Sequence, residues 1–505
     1  YACRDRRVCW ETISIVLNLR IPGWFKALTL LVFLLPLVAG LSLLMASDVS
    51  NYVTRMRGIE DGSSPHLPPL SVPRMGINVD LETYNDESSL RGALSMMQAL
   101  GFGTLRQHFS WANLEPAPGD YRWEHWDWVL PIVQEYGFQV IAVLDTSPAW
   151  ARPAWEEDNA WAPPANMEDY ARFVSAFAQR YAGQVAAYQV WDEPNIYPHW
   201  GNGTIDPAGY VSMLRAASAA IRRGDPSAQV IAGGLAPNLE TGGRNMSDVQ
   251  FLHEIYWRGA GAYFDILGVQ AYGFWTGPYD RRVSDQVLNF SRVILLRREM
   301  LRRGDEGKPV WALEGGWCAL PPDWSGQPSA QGSDLPAVQV ARLQDALARA
   351  QQEWPWMGLL SLSQWRPNAP TDDPIWGYAL LGPDGRPNVP LEDLYRQLAT
   401  DPNLYPGLHA VLASNLESYH WNVLPLQDNS PDSVRTLEVP FWGTGITLDV
   451  EQGQTNGELA TWVDGGVPKA IALDGETAGT VRVVVAEGLS PGVHTLGLHG
   501  TSAEI

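Results

Sequence analysis

Two glutamates stand in settings suited to paired-carboxylate chemistry. Glu193 lies in Trp191-Asp192-Glu193-Pro194-Asn195, and Glu314 opens Glu314-Gly315-Gly316-Trp317. Glu314 directly follows the short apolar run PVWAL, and Glu193 stands two residues past the end of a second run of strand character, AAYQVW. A pair of carboxyls can divide its labour. One stays protonated to release a leaving oxygen, and the other is ionised to attack or stabilise an oxocarbenium-like carbon, as cleavage of a glycosidic bond requires. The two pKa values must then be pushed apart by their surroundings. Arg106 is placed to keep one carboxyl ionised, Tyr272 to donate to it, and His108 sits beside Arg106 on the same run. Trp150, Trp317 and Trp365 close similar runs and offer flat faces to a sugar ring. Either glutamate alone would read as a solvated loop carboxylate or an ion-pair partner; their joint placement favours catalysis. The chain has no C-x-x-C, H-E-x-x-H or G-x-S-x-G pattern, so no metal centre, organic cofactor or serine nucleophile is expected.

These side chains need elements to hold them. Apolar segments at 75–79, 104–109, 139–144, 186–191, 228–232, 265–270, 309–313 and 358–363 alternate with amphipathic stretches such as ESSLRGALSMMQALG and MEDYARFVSAFAQRYAG. Eight such alternations imply a parallel sheet with helices outside. The expected fold class is α/β: a (β/α)8 TIM barrel over 75–405, whose active site lies at the C-terminal ends of its strands. Arg106, His108, Trp150, Asp192, Glu193, Tyr272, Glu314, Trp317 and Trp365 all fall at or just beyond those ends. An open doubly wound sheet is the rival, but it lacks a dinucleotide or phosphate fingerprint here. From 406 to 505, short runs such as TLEVPFWG and TVRVVVAEG, split by Gly, Pro and Asp, predict a small antiparallel β-sandwich.

The segments MGINVD, TLRQHFSWANLEPAPGDYRWEHWD, VIAVLDTSPAWA, YQVWDEPN, VQAYG and VWALEGGW resemble clan A glycoside hydrolases, most of all the barrels of families 5 and 39, over residues 75–400. The resemblance implies a retaining mechanism with Glu193 as acid/base and Glu314 as nucleophile. It gives Arg106 and Tyr272 the task of holding the nucleophile, and Trp365 that of an aromatic platform. Two positions depart from the pattern: Asp192 stands where the family has Asn, and Gln270 where it often has His. The first departure implies altered recognition of the sugar 2-position and a raised pKa for Glu193. The sandwich resembles the β-domains appended to such barrels; glycan binding and bracing both remain open for it.

Near the N-terminus, residues 27–46 (ALTLLVFLLPLVAGLSLLMA) carry no charge and match the length of a transmembrane helix. Five basic residues precede them, which puts 1–26 in the cytoplasm and the rest outside. A signal peptide cleaved near Ala46 is the rival and would leave a secreted protein. Residues 47–74, with their Pro- and Ser-rich EDGSSPHLPPLSVPR, read as a linker. The chain starts at Tyr1 and stops at Ile505 without a clear terminal element, so whether it is a fragment stays open.

The formal net charge is −21. Removing the five basic and two acidic residues before residue 27 leaves 30 basic against 54 acidic, or −24, for the remainder. That acidity excludes a nucleic-acid partner. The expected partners are an oligosaccharide, polysaccharide or glycoconjugate substrate and a membrane reached through the N-terminal helix; oligomeric state is not legible. Trp (23) outnumbers Tyr (18) and Phe (12), and at least ten of the Trp lie at strand ends or in the loops beyond. About half of Trp150, Trp155, Trp161, Trp200, Trp275 and Trp317 are expected to face the cleft. Three cysteines exclude a disulfide framework, and Cys318 reads as a small buried hydrophobe. Two other readings use the same residues: a non-catalytic glycan-binding protein on a retired barrel, and a transglycosylase.

Overall fold

The computed structural model describes residues 23–57, 74–401, 403–405, 422–424, 434–452, 457–473 and 479–501. Basic residues 4–20, most of the expected linker and the start of the expected sandwich lie outside these.

The N-terminal unit is helix α1, Gly23–Arg57. Its window Leu31–Val49 has a mean hydropathy of 2.0 with none of it buried. At 1.5 Å per residue this window spans about 28 Å, close to the thickness of a hydrocarbon core. The helix runs on through 47–57, a stretch free of Gly and Pro that would end it.

The second unit contains the barrel. Its strands are β1 (Gly76–Val79), β2 (Thr104–Ser110), β3 (Gln139–Asp145), β4 (Ala187–Val190), β5 (Gln229–Leu235), β6 (Ile266–Tyr272), β7 (Val310–Gly316) and β8 (Met357–Leu360). They pair in parallel in sequence order. Bridges Met75–Leu360 and Asn78–Gln364 bring β8 back to β1 and close the ring. The fold is thus the expected eight-stranded α/β barrel, with strands within a few residues of the sequence segments.

Alternation along each strand sorts its side chains. Outward residues such as Leu105, Phe109, Leu144, Tyr188 and Val269 join the large core under the helices. Inward residues Ile141, Ala187, Ile231, Ile266, Trp311, Leu313 and Leu359 form a separate apolar plug. At about 25 cal/mol per Å² of apolar surface, these buried layers supply the main stabilising term of the barrel. Further along the same inward faces, the residues turn polar: Asn78, Arg106, His108, Gln189, Gln270 and Tyr272. The barrel mouth is therefore a polar cup on an apolar floor.

The surrounding helices follow their sequence signals. Asp86 accepts from the Ser89 amide and caps helix α2 (Glu87–Ala99). Asn166 caps α4 (Met167–Arg180), after α3 (Glu124–Glu135), and Asp206 caps α5 (Pro207–Gly224), whose first residue is a proline. The W-x-x-L-E-P-x-P-G segment folds around Glu115, a buried carboxylate that accepts from Trp111 Nε1 (2.6 Å) and the Gly119 amide (2.8 Å).

After the barrel come antiparallel strands β9 (Asn422–Leu424), β10 (Val434–Gly443), β11 (Ile446–Gln452), β12 (Glu458–Val463), β13 (Lys469–Ala472), β14 (Gly479–Ala486) and β15 (Gly492–Thr501). One sheet has the order β9-β10-β15-β12-β13, and β11 pairs with β14. Leu437, Val439, Phe441, Val485 and Leu496 are buried between them. This is the expected β-sandwich. A bridge from Leu404 to Phe441 ties the chain leaving the barrel to β10.

Candidate active site

Arg106 organises the cup. It is 1% exposed and reaches four partners: Glu314 Oε1 at 2.6 Å, Asp192 Oδ1 at 2.9 Å, Gln189 Oε1 at 2.9 Å and Asn78 Oδ1 at 3.0 Å. A buried guanidinium is tolerated only when paired and hydrogen-bonded in this way. Its charge stays fixed, because burial opposes it but the two carboxylates outweigh burial and raise its pKa further.

Glu314 reaches the cup through a β-bulge. Pairing of β6 with β7 skips from Val269–Ala312 to Gln270–Glu314. Trp311 and Leu313 both face the plug, so strict alternation would send Glu314 outward. The bulge resets the alternation and turns Glu314 inward, the re-aiming that bulges bring about beside functional sites. Gly268 makes room, since a Cβ there would lie 2.6 Å from Leu313 Cδ1. Besides Arg106, Glu314 accepts from Tyr272 Oη at 3.2 Å. The Tyr272 hydroxyl is held far from ionisation by burial and by the neighbouring Glu314 charge, so it acts as a donor.

Glu193 is placed by backbone rather than by strand register. Trp191 and Glu193 take left-handed φ of 64° and 47°, and both flank Asp192. Non-glycine residues there are strained, and such strain clusters at functional sites. The turn sends Trp191 outward onto Tyr170 and Asp192 inward to Arg106. Gln189 Nε2 also donates to Asp192 Oδ1 (2.7 Å). Gly234, at φ 147°, leaves space for this carboxylate; a Cβ would sit 2.2 Å from Asp192 Oδ1. Glu193 accepts from Gln270 Nε2 at 2.5 Å through Oε1, and His199 Nε2 lies 3.0 Å from its Oε2.

The same Gln270 nitrogen is 3.5 Å from Glu314 Oε2. Two legs of 2.5 and 3.5 Å from one atom place the nearest oxygens of Glu193 and Glu314 within about 6 Å of each other. Burial raises the pKa of Glu193, and the nearby charges of Asp192 and Glu314 add to the rise against the opposing His199. Burial pushes Asp192 upward too, but Arg106 and His108 overcome it and its pKa ends below the ordinary carboxylate value. Two adjacent carboxyls are thus driven in opposite directions.

His108 faces Asp145 through Nδ1 (2.7 Å), while its Nε2 lies 3.7 Å from Asp192 Oδ2. Burial lowers the imidazole pKa, yet Asp145 more than reverses this and lifts it to about 9. The ligand-type atoms of His108, Asp145 and Asp192 lie within 4.8 Å of one another. With Arg106 on Asp192 and Asp145 on His108, this cluster is a network of paired charges.

The tryptophans divide. Trp317 and Trp365 are each 2% exposed. Trp317 packs against Phe290 and donates to Thr276 O (2.8 Å), and Trp365 donates to Tyr84 Oη (3.0 Å). That burial corrects the expected stacking role of Trp317, which has no free face, and leaves Trp365 at most an edge. Trp150 is half-buried against Trp111 and donates to Glu115 O (2.9 Å). Trp200 is buried, whereas Trp155 and Trp275 are exposed on the loops after β3 and β6. Trp161 stacks on His199. Cys318 is buried, and its thiol is pushed up to about 11 by that burial. Beside Tyr272 and Gly315 opens a cavity of about 170 Å³, lined also by Asn78, Gln331, Asp373 and Tyr378.

The sequence reading missed Asn78, Gln189 and His199. The first two stand on the inward parity of β1 and β4, a period-two signal that was available. His199 stands six residues beyond Glu193 in a loop, where no periodicity marks it.

A family model described as beta-galactosidase, of glycoside hydrolase family 42, matches residues 83–160. The chain is similar to a family 39 glycoside hydrolase from the gut symbiont Bacteroides cellulosilyticus WH2, at 16% identity over 88% of this chain and 84% of that one, with a TM-score of 0.51. It is also similar to a monomeric beta-xylosidase from Caulobacter crescentus CB15 (16% identity, 85% and 96% covered, TM-score 0.49). A third similar structure is GH5_18 from Streptomyces cattleya in complex with GlcNAc (17% identity, 64% and 79% covered, TM-score 0.49). No curated protein matches the chain. The resemblance to clan A therefore holds at the level of fold: an eight-stranded parallel barrel followed by antiparallel sheets.

Proposed function

We propose that this protein is a retaining glycoside hydrolase with Glu314 as nucleophile and Glu193 as acid/base. The observation that carries the proposal is that Gln270 Nε2 reaches both carboxyls, 2.5 Å from Glu193 Oε1 and 3.5 Å from Glu314 Oε2, so that these two oxygens are no more than about 6 Å apart. Retaining enzymes hold their carboxyls about 5–5.5 Å apart, whereas inverting ones need about 6.5–9.5 Å to admit a water. The electrostatics support the same division of roles. Glu193, with a raised pKa, carries the proton that leaves on the glycosidic oxygen. Glu314, ion-paired to Arg106 and hydrogen-bonded by Tyr272, attacks the anomeric carbon. Water then enters, Glu193 takes its proton, and the glycosyl–Glu314 bond breaks. Arg106 and Tyr272 hold the nucleophile's two oxygens, so its attacking geometry is set before substrate arrives. The polar cavity beside Tyr272 offers donors and acceptors to a hydroxyl-rich ligand. The β configuration of the bond rests on the family model matching residues 83–160.

The proposed cellular setting is a membrane tether through α1 with the barrel outside, supported by the uncharged span and the basic residues before it. Fractionation checks this: a soluble mature form shortened at its N-terminus would replace the tether with a cleaved signal.

The enzymatic test is a panel of β-glycosides with proton NMR of the first-formed product. Retained configuration is expected, with loss of turnover in Glu314→Ala. A wild type as inert as that variant would turn the reading to a non-catalytic glycan binder, and inversion would refute the roles of both glutamates.

A further inference from the structure

We propose that His199 is a positioning residue for the acid/base, a fixed N–H donor that holds the Glu193 carboxyl and sets the pH at which it gives up its proton. The inference rests on the reading of Glu193 as acid/base. It starts from how tightly His199 is held. Trp191 Nε1 donates to the His199 carbonyl at 2.6 Å, and Asn159 Nδ2 donates to the carbonyl of Pro198 at 3.2 Å. Glu156, a buried carboxylate on the loop after β3, accepts from the Asn202 amide and side chain at 2.6 and 2.7 Å. Gly201 gives that carboxylate room, since a Cβ there would lie 2.7 Å from Glu156 Oε1. The imidazole itself stacks on Trp161, with ring centroids 4.4 Å apart and planes 21° from parallel. Two loops are thus latched together around one ring, and the ring's free edge points at Glu193.

The ring's two nitrogens differ. Nε2 faces Glu193 Oε2 at 3.0 Å. Nδ1 is buried and has no hydrogen-bond partner among the described residues. A buried N–H without an acceptor costs more than a buried lone pair without a donor. A proton is therefore better placed on Nε2, the nitrogen 3.0 Å from Glu193 Oε2, than on Nδ1. Gln270 Nε2 meets the other oxygen, Oε1, at 2.5 Å. Gln270 and His199 thus approach the carboxyl's two oxygens from separate elements, and a donor at either favours its ionised form. They oppose burial and the negative neighbours Asp192 and Glu314. The other titratable group that interacts with Glu193 is the Tyr272 hydroxyl from β6. When the proton leaves on the glycosidic oxygen, the new carboxylate finds its donors already in place. When water enters, the same carboxylate takes one proton back, and His199 ends the cycle unchanged.

The test uses the full chain in detergent, with His199→Phe, which keeps a ring on Trp161, and His199→Gln, whose Nε2 restores a donor. Two quantities are read: the alkaline limb of the kcat–pH profile on a β-glycoside, and the ¹³C NMR titration of the Glu193 carboxyl, assigned by its absence in Glu193→Gln. In His199→Phe both should move to higher pH by about one to two units, the effect of one lost hydrogen bond to a charged group. In His199→Gln both should return close to wild type. The proposal is overturned if the Phe variant slows turnover evenly at every pH and leaves the titration in place. It is equally overturned if the Gln variant shifts as far as the Phe variant. If the titration moves as expected while wild type hydrolyses no glycoside, the coupling of His199 to Glu193 stands and the glycosidase reading fails.

Discussion

Replacing Arg106 by Met is the sharpest perturbation the barrel mouth offers. The guanidinium is buried and holds Glu314 at 2.6 Å and Asp192 at 2.9 Å. Methionine fills much of the volume but leaves the buried Asp192 and the largely buried Glu314 without their cation. Removing one partner of a buried ion pair costs about 3–5 kcal/mol, most of it the desolvation of the charge left behind. With an unfolding entropy of ~2.1 cal/mol/K per residue over ~330 barrel residues, 1 kcal/mol lowers Tm by about 1.4 °C. The expected loss at pH 7 is therefore about 4–7 °C. Its pH dependence gives the cause away. The pKa of Asp192 is depressed in the fold, so the stability it contributes is present above its unfolded value and fades as pH falls through the depressed one. In the variant that contribution is gone, and the stranded carboxyls take up protons on acidification. The gap between wild type and Arg106→Met should narrow steadily towards pH 4. Differential scanning calorimetry at pH 7, 6, 5 and 4 reads this directly. A gap below 1 °C at pH 7, or one that does not change with pH, would falsify the assignment of Arg106 as the electrostatic centre.

Two further predictions follow from the same geometry. Asp192→Asn removes a negative neighbour that helps to raise the pKa of Glu193, so the alkaline limb of kcat/KM should move to lower pH, opposite in sign to the His199→Phe shift; a limb that stays or rises refutes the coupling. Gly234→Ala drives a Cβ to 2.2 Å from Asp192 Oδ1 at φ 147°, and should cost about 2–3 kcal/mol. Gly137→Ala meets no atom within 4 Å at φ 75° and should cost only about 1 kcal/mol for its backbone; thermal melts of the pair separate the clash from the strain.

The architecture was legible because it rests on local rules. Apolar runs of four to seven residues, helix caps such as Asp86 and Asn166, and eight repeats of one rhythm each need only neighbouring residues to read. The candidate cluster was legible in its members on β2, β6 and β7 and at the end of β4, where topology puts strand ends at one rim. The roles of the tryptophans were not. Trp317 and Trp155 occupy similar loop positions, yet one is sealed against Phe290 and the other lies open to solvent. Burial depends on what returns from distant parts of the chain, and no spacing within a loop encodes it.

By itself the sequence determined that a parallel α/β barrel would carry Glu193 and Glu314 on one rim, with Arg106 and Tyr272 beside them, because strand order and strand length follow from local periodicity. Only the tertiary structure decided that these groups converge. One extra residue at Leu313 turns Glu314 into the barrel against the alternation of its strand, and left-handed backbone at Trp191 and Glu193 does the same on β4. A shift of one residue reverses the side a side chain faces, and that choice is made by the pairing of strands and by the space at Gly268 and Gly234. His199 depends on it most of all: its contact with Glu193 exists because two loops, from β3 and β4, lock around it.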